Sequence, residues 1–179
     1  MPVTFALKYS LLESTMKEIK LTQGFIALVD DEDFERVSAV EWIAAKRSNT
    51  VYAATRKKPE VLMHRWLFGV NVTSTKVDHE DHNGLNNQKY NLRVCTHAQN
   101  CANQKLSTFN TSGFKGVSYY KRDGNWSAYI KVDGKKRHLG YYSTAEEAAQ
   151  VYDSESIKVF GEFALTNTMM AQKERSQHV

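Results

Sequence analysis

Cysteine is scarce in this chain: the two present, Cys95 and Cys101, are too few to staple a small secreted domain, and a reducing, cytoplasmic compartment is expected. Long apolar runs are missing as well. No stretch approaches the roughly 20 residues that cross a bilayer, so no membrane span is expected. The opening segment, MPVTFALKYSLLEST, has neither a basic leader nor a sustained apolar centre, so it does not read as a signal peptide. Residues 1 to 15 are taken as an extension of unknown role ahead of Met16. A large excess of one charge is absent too: 24 Lys and Arg against 20 Asp and Glu leave +4 and a pI near 9.0. That is mild for a partner of polyanions, so any such case rests on where the charges lie. The 179 residues suffice for one domain or two small ones, and two are preferred.

What is present begins with short alternating segments. Ile19 and Leu21 alternate with polar residues and Phe25 to Val29 is apolar, which predicts two strands. Asp31, Glu32, Asp33 and Glu35 then open an acidic helix, where the unpaired amides of a helix start favour negative charge. A solvated helix start outweighs a metal site as the reading of that cluster. Trp42 to Ala45 and Val51 to Thr55 flank Arg47, Ser48 and Asn49, which predicts a hairpin. LMHRWLF then brings His64 and Arg65 to the edge of the next segment; His64, like the later His82, is read as a surface or packing residue.

The densest chemistry lies between Val77 and Asn103, where Asp78, His79, Asn91, Asn100 and Asn103 crowd into one span. A general base beside oxygen donors is what a metal-assisted hydrolase requires. Val77, Asp78 and His79 are extended and enter the turn-rich loop HNGLNN. Asn91 to Val94 resumes a strand, and Thr96 with Gln99 matches a capping box opening a helix to about Leu106. Asn100 and Asn103 share a face of that helix. Asp78 and His79 are adjacent on an extended chain, so both serve one site only where the chain bends.

Asp78-His79, Asn83, Asn91-Leu92, Thr96 and Asn100 stand at the spacing of phage and intron-encoded HNH homing endonucleases, which this segment, from about His64 to Asn103, resembles. The resemblance implies a ββα-metal fold that cuts DNA, with His79 as the general base and Asp78 and Asn100 holding one divalent cation. It further implies that Asn91 hydrogen-bonds the histidine ring and fixes its orientation. Many relatives have histidine at the position of Asn103, which makes Asn103 the weaker ligand candidate, and His82 replaces a common glycine. Carboxylate and amide oxygens suit Mg²⁺ or Mn²⁺. A zinc site from Cys95, His97, Cys101 and His79 or His82 is disfavoured, since the spacing fits no zinc knuckle. Arg93 is read evenly as a phosphate contact or a surface arginine.

A small polar linker, residues 107–112, leads into a second unit at 113–168, with a tail to 179. Gly116 to Tyr120, Trp126 to Val132 and Lys135 to Tyr142 alternate and are separated by Arg122-Asp123-Gly124-Asn125 and Asp133-Gly134, both hairpin turns. Ser143 and Glu146 match a second capping box. Ala148, Ala149, Tyr152, Ser156, Val159 and Phe160 then share a helical face that Gly161 closes. Alternation turns Trp126, Ala128, Ile130 and Val132 toward this helix and Ser127, Tyr129 and Lys131 outward. Gly113 to Tyr142 holds seven Lys and Arg against two Asp, while Ser143 to Gly161 holds four acidic residues and one Lys. Charge is therefore segregated onto the sheet, as a polyanion footprint would be.

SGFKGVSYYK, WSAYIKV, HLGYYSTAEEAAQVYD and the later Gly161, Phe163, Ala164 and Asn167 resemble an AP2 DNA-binding domain. The resemblance implies that the sheet lies in the major groove, with DNA contacts from Lys115, Ser118, Tyr120, Tyr129, Lys131, Lys136 and His138. The expected protein is α+β: a β-rich start leading into a ββα-metal nuclease unit over residues 16–106, then a three-stranded sheet with a helix. It is expected to act as a monomer on double-stranded DNA in a bacterial or phage-infected cell, nicking one strand at a site chosen by the second unit; a dimer could cut both strands. A non-catalytic AP2-type regulator on a nuclease-derived scaffold and a junction-directed nuclease remain as alternatives. On the first reading, a fragment ending at Leu106 loses specific binding and keeps weak cleavage.

Overall fold

The computed structural model describes residues 16–47, 50–69 and 76–176. The expected extension over residues 1 to 15, the turn residues Ser48 and Asn49, and the last three residues of the expected tail lie outside these. The protein is α+β, built of small antiparallel sheets and several helices. It divides into two compact units, one up to Val94 and one from Cys95 onward.

In the first unit, strand β1 (Met16–Lys20) pairs antiparallel with β2 (Ile26–Asp30) in the register Met16↔Asp30 to Lys20↔Ile26. The acidic run starts helix α1 (Asp31–Ser38), as its charge predicts. A second hairpin joins β3 (Trp42–Arg47) to β4 (Thr50–Thr55), and the short helix α2 (Met63–Leu67) follows. The core gathers Ile19, Leu21, Ala27, Val29, Val37, Trp42, Ala53 and Met63. Its larger aliphatic side chains contribute about 1.5 to 3 kcal/mol each when fully withdrawn from water. Trp42 is fixed in this core by an Nε1–H donated to Val37 O at 2.9 Å and by edge contact with Trp66. Strands β5 (Lys76–His79) and β6 (Leu92–Cys95) pair with each other.

The loop between β5 and β6 is held to the free edge of β2. Leu28 N–H donates to Leu85 O and Asn87 N–H donates to Leu28 O, each at 2.8 Å. Gly84 lies where any Cβ would meet Val51 O at 2.5 Å and the Tyr52 ring at 2.6 Å. A glycine here lets Tyr52 fold over the loop.

The second unit opens with helix α3 (His97–Ala102), whose Thr96–Gln99 capping box forms as expected. The helix ends at Ala102 rather than near Leu106. Strands β7 (Val117–Tyr120), β8 (Asn125–Val132) and β9 (Lys135–Tyr142) make one antiparallel sheet in sequence order. The Asp133-Gly134 turn has φ of 48° and 79°, the left-handed pair that a tight hairpin needs. Helix α4 (Ala145–Phe160) buries Ala145, Ala148, Ala149, Tyr152, Ser156 and Phe160. Its capping box uses Thr144 and Glu147, one residue beyond the expected Ser143 and Glu146. STAEE satisfies the pattern twice, and Glu147 Oε2 takes the amides of both Ser143 and Thr144, at 3.1 and 3.2 Å. A further helix, α5 (Asn167–Ser176), occupies most of the expected tail. Its start is tied to the buried Asp153, which accepts from Asn167 N and Thr168 N.

Candidate active site and nucleic-acid interface

His79 ends β5 and is buried, 6% exposed. Its Nε2 faces Asn87 Oδ1 at 3.4 Å. Asn87 Nδ2 donates to Leu85 O at 3.1 Å, so the oxygen is the atom turned to the ring, and Nε2 carries the hydrogen. The basic lone pair then belongs to Nδ1. Burial pushes the pKa of His79 down, against smaller upward pulls from Asn87 and the Asp81 carboxylate. A neutral imidazole with one nitrogen lone pair is the form a general base must have.

His64, from α2, meets His79 edge to face at 4.6 Å between ring centres, and Tyr52 lies 5.7 Å from His79 and 5.8 Å from His64. His64 is 6% exposed, and burial, then the neighbouring His79 and Arg65, drive its pKa down to about 3. Its Nδ1 has no hydrogen-bond partner among the described residues. Burial also raises the Tyr52 hydroxyl. Sequence reasoning left His64 as a packing residue and passed over Tyr52 and Asn87; nothing local to those positions marks them, because their meeting depends on the β4 hairpin and the loop geometry.

Asn91 is 1% exposed, but it does not hydrogen-bond the histidine as the motif implies. Its Nδ2 donates to Asp81 Oδ1 at 2.9 Å and to Asn86 O at 2.8 Å, and its Oδ1 accepts from Asp81 N at 3.0 Å. All the hydrogen-bonding capacity of the amide nitrogen serves the loop, so Asn91 braces the segment that presents Asn87. Asp81 also takes Asn83 N and Asn86 Nδ2, which accounts for the many asparagines there. His82, in place of a common glycine, has φ of 66°, a conformation glycine adopts at least cost.

Asp78 is paired with Arg93, Nη2 to Oδ2 at 2.7 Å, both side chains about one-tenth exposed. Arg93 also approaches Glu80 at 3.6 Å. Arg93 is therefore a largely buried partner of the carboxylate rather than a surface arginine. Asn100 is half-buried in α3 and Asn103, the residue after the helix, is buried. The oxygens of Asp78, Asn100 and Asn103 are hard donors and fit Mg²⁺ or Mn²⁺ in kind. The soft donors are otherwise engaged: Cys95 lies in an apolar cluster with Ile130 and Phe160, and Cys101 Sγ lies 3.7 Å from His97 Nε2 on the same helix.

Among the described residues, Asp30, Glu32 and Asp33 bring their carboxylate oxygens within 4.8 Å of one another. Lys89 serves that cluster, with Nζ 2.5 Å from Glu32 and 3.5 Å from Asp33, and Glu32 holds its pKa up. Asp30 accepts Lys89 N at 2.7 Å and Gln88 Nε2 at 3.3 Å. The acidic helix start thus anchors the same loop.

On the three-stranded sheet, Lys131 and Lys136 pair across β8 and β9, as do Tyr129 and His138. Lys136 Nζ sits 3.6 Å over the Tyr129 ring, Arg122 stacks on Tyr120 at 5.2 Å, and Tyr141 contacts both His138 and Tyr120. Lys131, Lys136 and His138 are exposed and Ser118, Tyr120 and Tyr129 half-buried. Tyr141 was hidden from sequence by a register shift at Ala128/Tyr129, which leaves Leu139 as an extra residue and puts Tyr141 on the face of His138. Lys115 is the exception to the expected surface. Its Nζ donates to Ala102 O, to Gln104 O at 2.8 Å and to Leu165 O at 3.2 Å, so the ammonium is directed into the unit rather than out from the sheet.

A histidine kept neutral beside an acidic residue, and a separate basic aromatic sheet, mark the class as an HNH-type protein with an AP2-type part. The chain is 30% identical over 150 residues, 81% of its length and 76% of the relative, to an uncharacterized HNH endonuclease of Acanthamoeba polyphaga mimivirus. It belongs to the HNH endonuclease family. It is also 33% identical over 88 residues, 49% of this chain and 72% of the relative, to protein 3.8 of Escherichia phage T7. An APETALA2-like protein 2 of Oryza sativa is 41% identical over 51 residues, 28% of this chain and 12% of that protein. No protein-family model and no solved structure matches the chain.

Proposed function

We propose that this protein is a metal-dependent DNA endonuclease that nicks double-stranded DNA as a monomer, at a site selected by its AP2-like sheet. The observation that carries the reading is His79, buried, neutral and oriented by Asn87 next to Asp78. His79 Nδ1 takes the proton of the attacking water, and Asn87 holds the ring with Nε2–H turned away from it. Asn91 acts through the loop it braces. Asp78 and Asn100, with Asn103 as a weaker third, are the oxygen donors for Mg²⁺ or Mn²⁺. Such an ion, when bound, supplies charge stabilisation at the scissile phosphate and the leaving 3′ oxygen. Arg93 holds the Asp78 carboxylate in place before any ion arrives. Lys131, Lys136, His138, Tyr129, Tyr120 and Ser118 face the duplex, lysines positioning the backbone and tyrosines supplying contact area.

Purified protein with Mg²⁺ is expected to nick supercoiled plasmid and His79→Ala to abolish nicking while duplex affinity is kept. Full activity in His79→Ala would remove the base assignment. The Asp78–Arg93 ion pair also suits a non-catalytic DNA-binding regulator, because an acid already neutralised needs no cation. Specific binding without cleavage under Mg²⁺ and Mn²⁺ would select that reading.

A further inference from the structure

We propose that Lys115 is a positioning residue for the asparagines of α3, closing the C-terminal end of that helix onto the core of the AP2-like unit. This deepens the nuclease reading and rests on it for the role given to Asn100 and Asn103. Helix α3 is six residues long, far below the length at which a helix persists alone. Its order must come from caps and packing. The capping box closes its N-terminal end. At the other end its last carbonyls lack intrahelical donors, and Lys115 Nζ donates to Ala102 O and Gln104 O, the carbonyls either side of Asn103. A third bond, to Leu165 O, ties the same ammonium to the segment after α4, and Leu165 N–H donates back to Ala102 O at 3.3 Å.

An ammonium has three hydrogens. Three carbonyls receive them here, so none is left for a phosphate. Withdrawal from water lowers the pKa of Lys115 to about 8, as burial of an ammonium should. The lysine also springs from a fixed backbone. Its N–H donates to Asn167 Oδ1 at 2.6 Å and its carbonyl accepts from Asn167 Nδ2 at 3.1 Å, while Asn167 Nδ2 is held by Asp153 at 2.9 Å. The next residue, Gly116, seats the Tyr152 ring where a Cβ would come within 2.0 Å of it.

The packing agrees with the bonding. Cys95 and Ala102 are buried in one cluster with Ile130, Tyr152, Phe160, Phe163 and Ala164, and Ala98 packs against it. The helix that carries the proposed metal donors and the sheet that faces DNA are therefore built on one core. Lys115, expected from sequence to touch DNA, is the polar link between them.

The test uses the full chain. Lys115→Met is expected to raise amide exchange at Asn100 and Asn103 about tenfold or more while β8 stays protected, since bonds to a charged donor are lost. At saturating duplex with Mg²⁺, kcat is expected to fall about tenfold, with duplex affinity within about twofold of the parent. Lys115→Arg, which keeps charge and donors, is expected to fall between the two. Unchanged exchange with weakened, less salt-dependent binding would overturn the proposal and return Lys115 to the phosphate backbone. Should Lys115→Met fail to fold, the exchange and kcat of Lys115→Arg decide by the same criteria. A parent protein that cleaves nothing would remove the nuclease reading alone, because the exchange measurement still supports or overturns the anchor.

Discussion

His64 and His79 face each other in a setting that resists protonation of both rings. The consequence for stability has a definite sign. An unfolded chain binds a proton at each histidine near the usual 6.5, whereas folded His64 waits until about 3. As pH falls below 6.5 the unfolded state gains protons that the folded state refuses, so stability declines and levels off only near the folded value. Thermal unfolding across that window is expected to show the decline, and His64→Gln to make it shallower. An acid profile identical in the variant would mean that His64 is not the group responsible. At this scale the candidate base and its acidic neighbour were marked by the joint spacing of Asp78-His79 with Asn91 and Asn100. The orienting partner could not: Asn87 and Asn91 are both asparagines in one loop, and only the direction of each amide separates the residue facing the ring from the one bracing the chain.

Helix starts show how far a sequence pattern can be pressed at the level of elements. STAEE offers two overlapping capping boxes, and the fold uses the one beginning at Thr144. Thr144→Ala is therefore expected to cost about 0.5 to 2 kcal/mol in chemical unfolding, and Ser143→Ala to be near neutral; equal costs would refute the assignment. The strands β1 and β2, and the hairpins β3–β4 and β7–β8–β9, were legible because hydrophobic patterning, and in the hairpins the turn residues with it, agree with the fold. The end of α3 was not, because it is set by Lys115 and Leu165, distant in sequence from Ala102. The exposed position of Tyr141 was also out of reach, since an inserted residue breaks the alternation from which faces are inferred.

At the scale of the whole chain, the sequence suggested a nuclease unit ending near Leu106 with a separable reader behind it. Contacts group Cys95 and α3 with the residues that follow them. A fragment ending at Leu106 would leave Cys95, Ala98 and Ala102 without the cluster they pack in and α3 without its lysine. It is expected to lose cleavage together with specific binding in a plasmid-nicking assay. Persistent nicking by that fragment would place the order of α3 elsewhere. The extra residue in β9 has an outcome of its own. Side chains along a strand alternate, and Leu139 is the residue that the register of β9 skips, so removing it would leave Tyr129↔His138 and Ala128↔Gly140 paired as they stand and only erase the bulge. Removing Arg137 instead would exchange the sides of what precedes it: Lys136 would turn into the hydrocarbon under α4 and Lys135 would turn out. The sign and chemistry of the surface offered to DNA thus hang on the parity of the few residues ahead of the bulge, where a single-codon deletion would scramble recognition although the same deletion two residues later keeps every face.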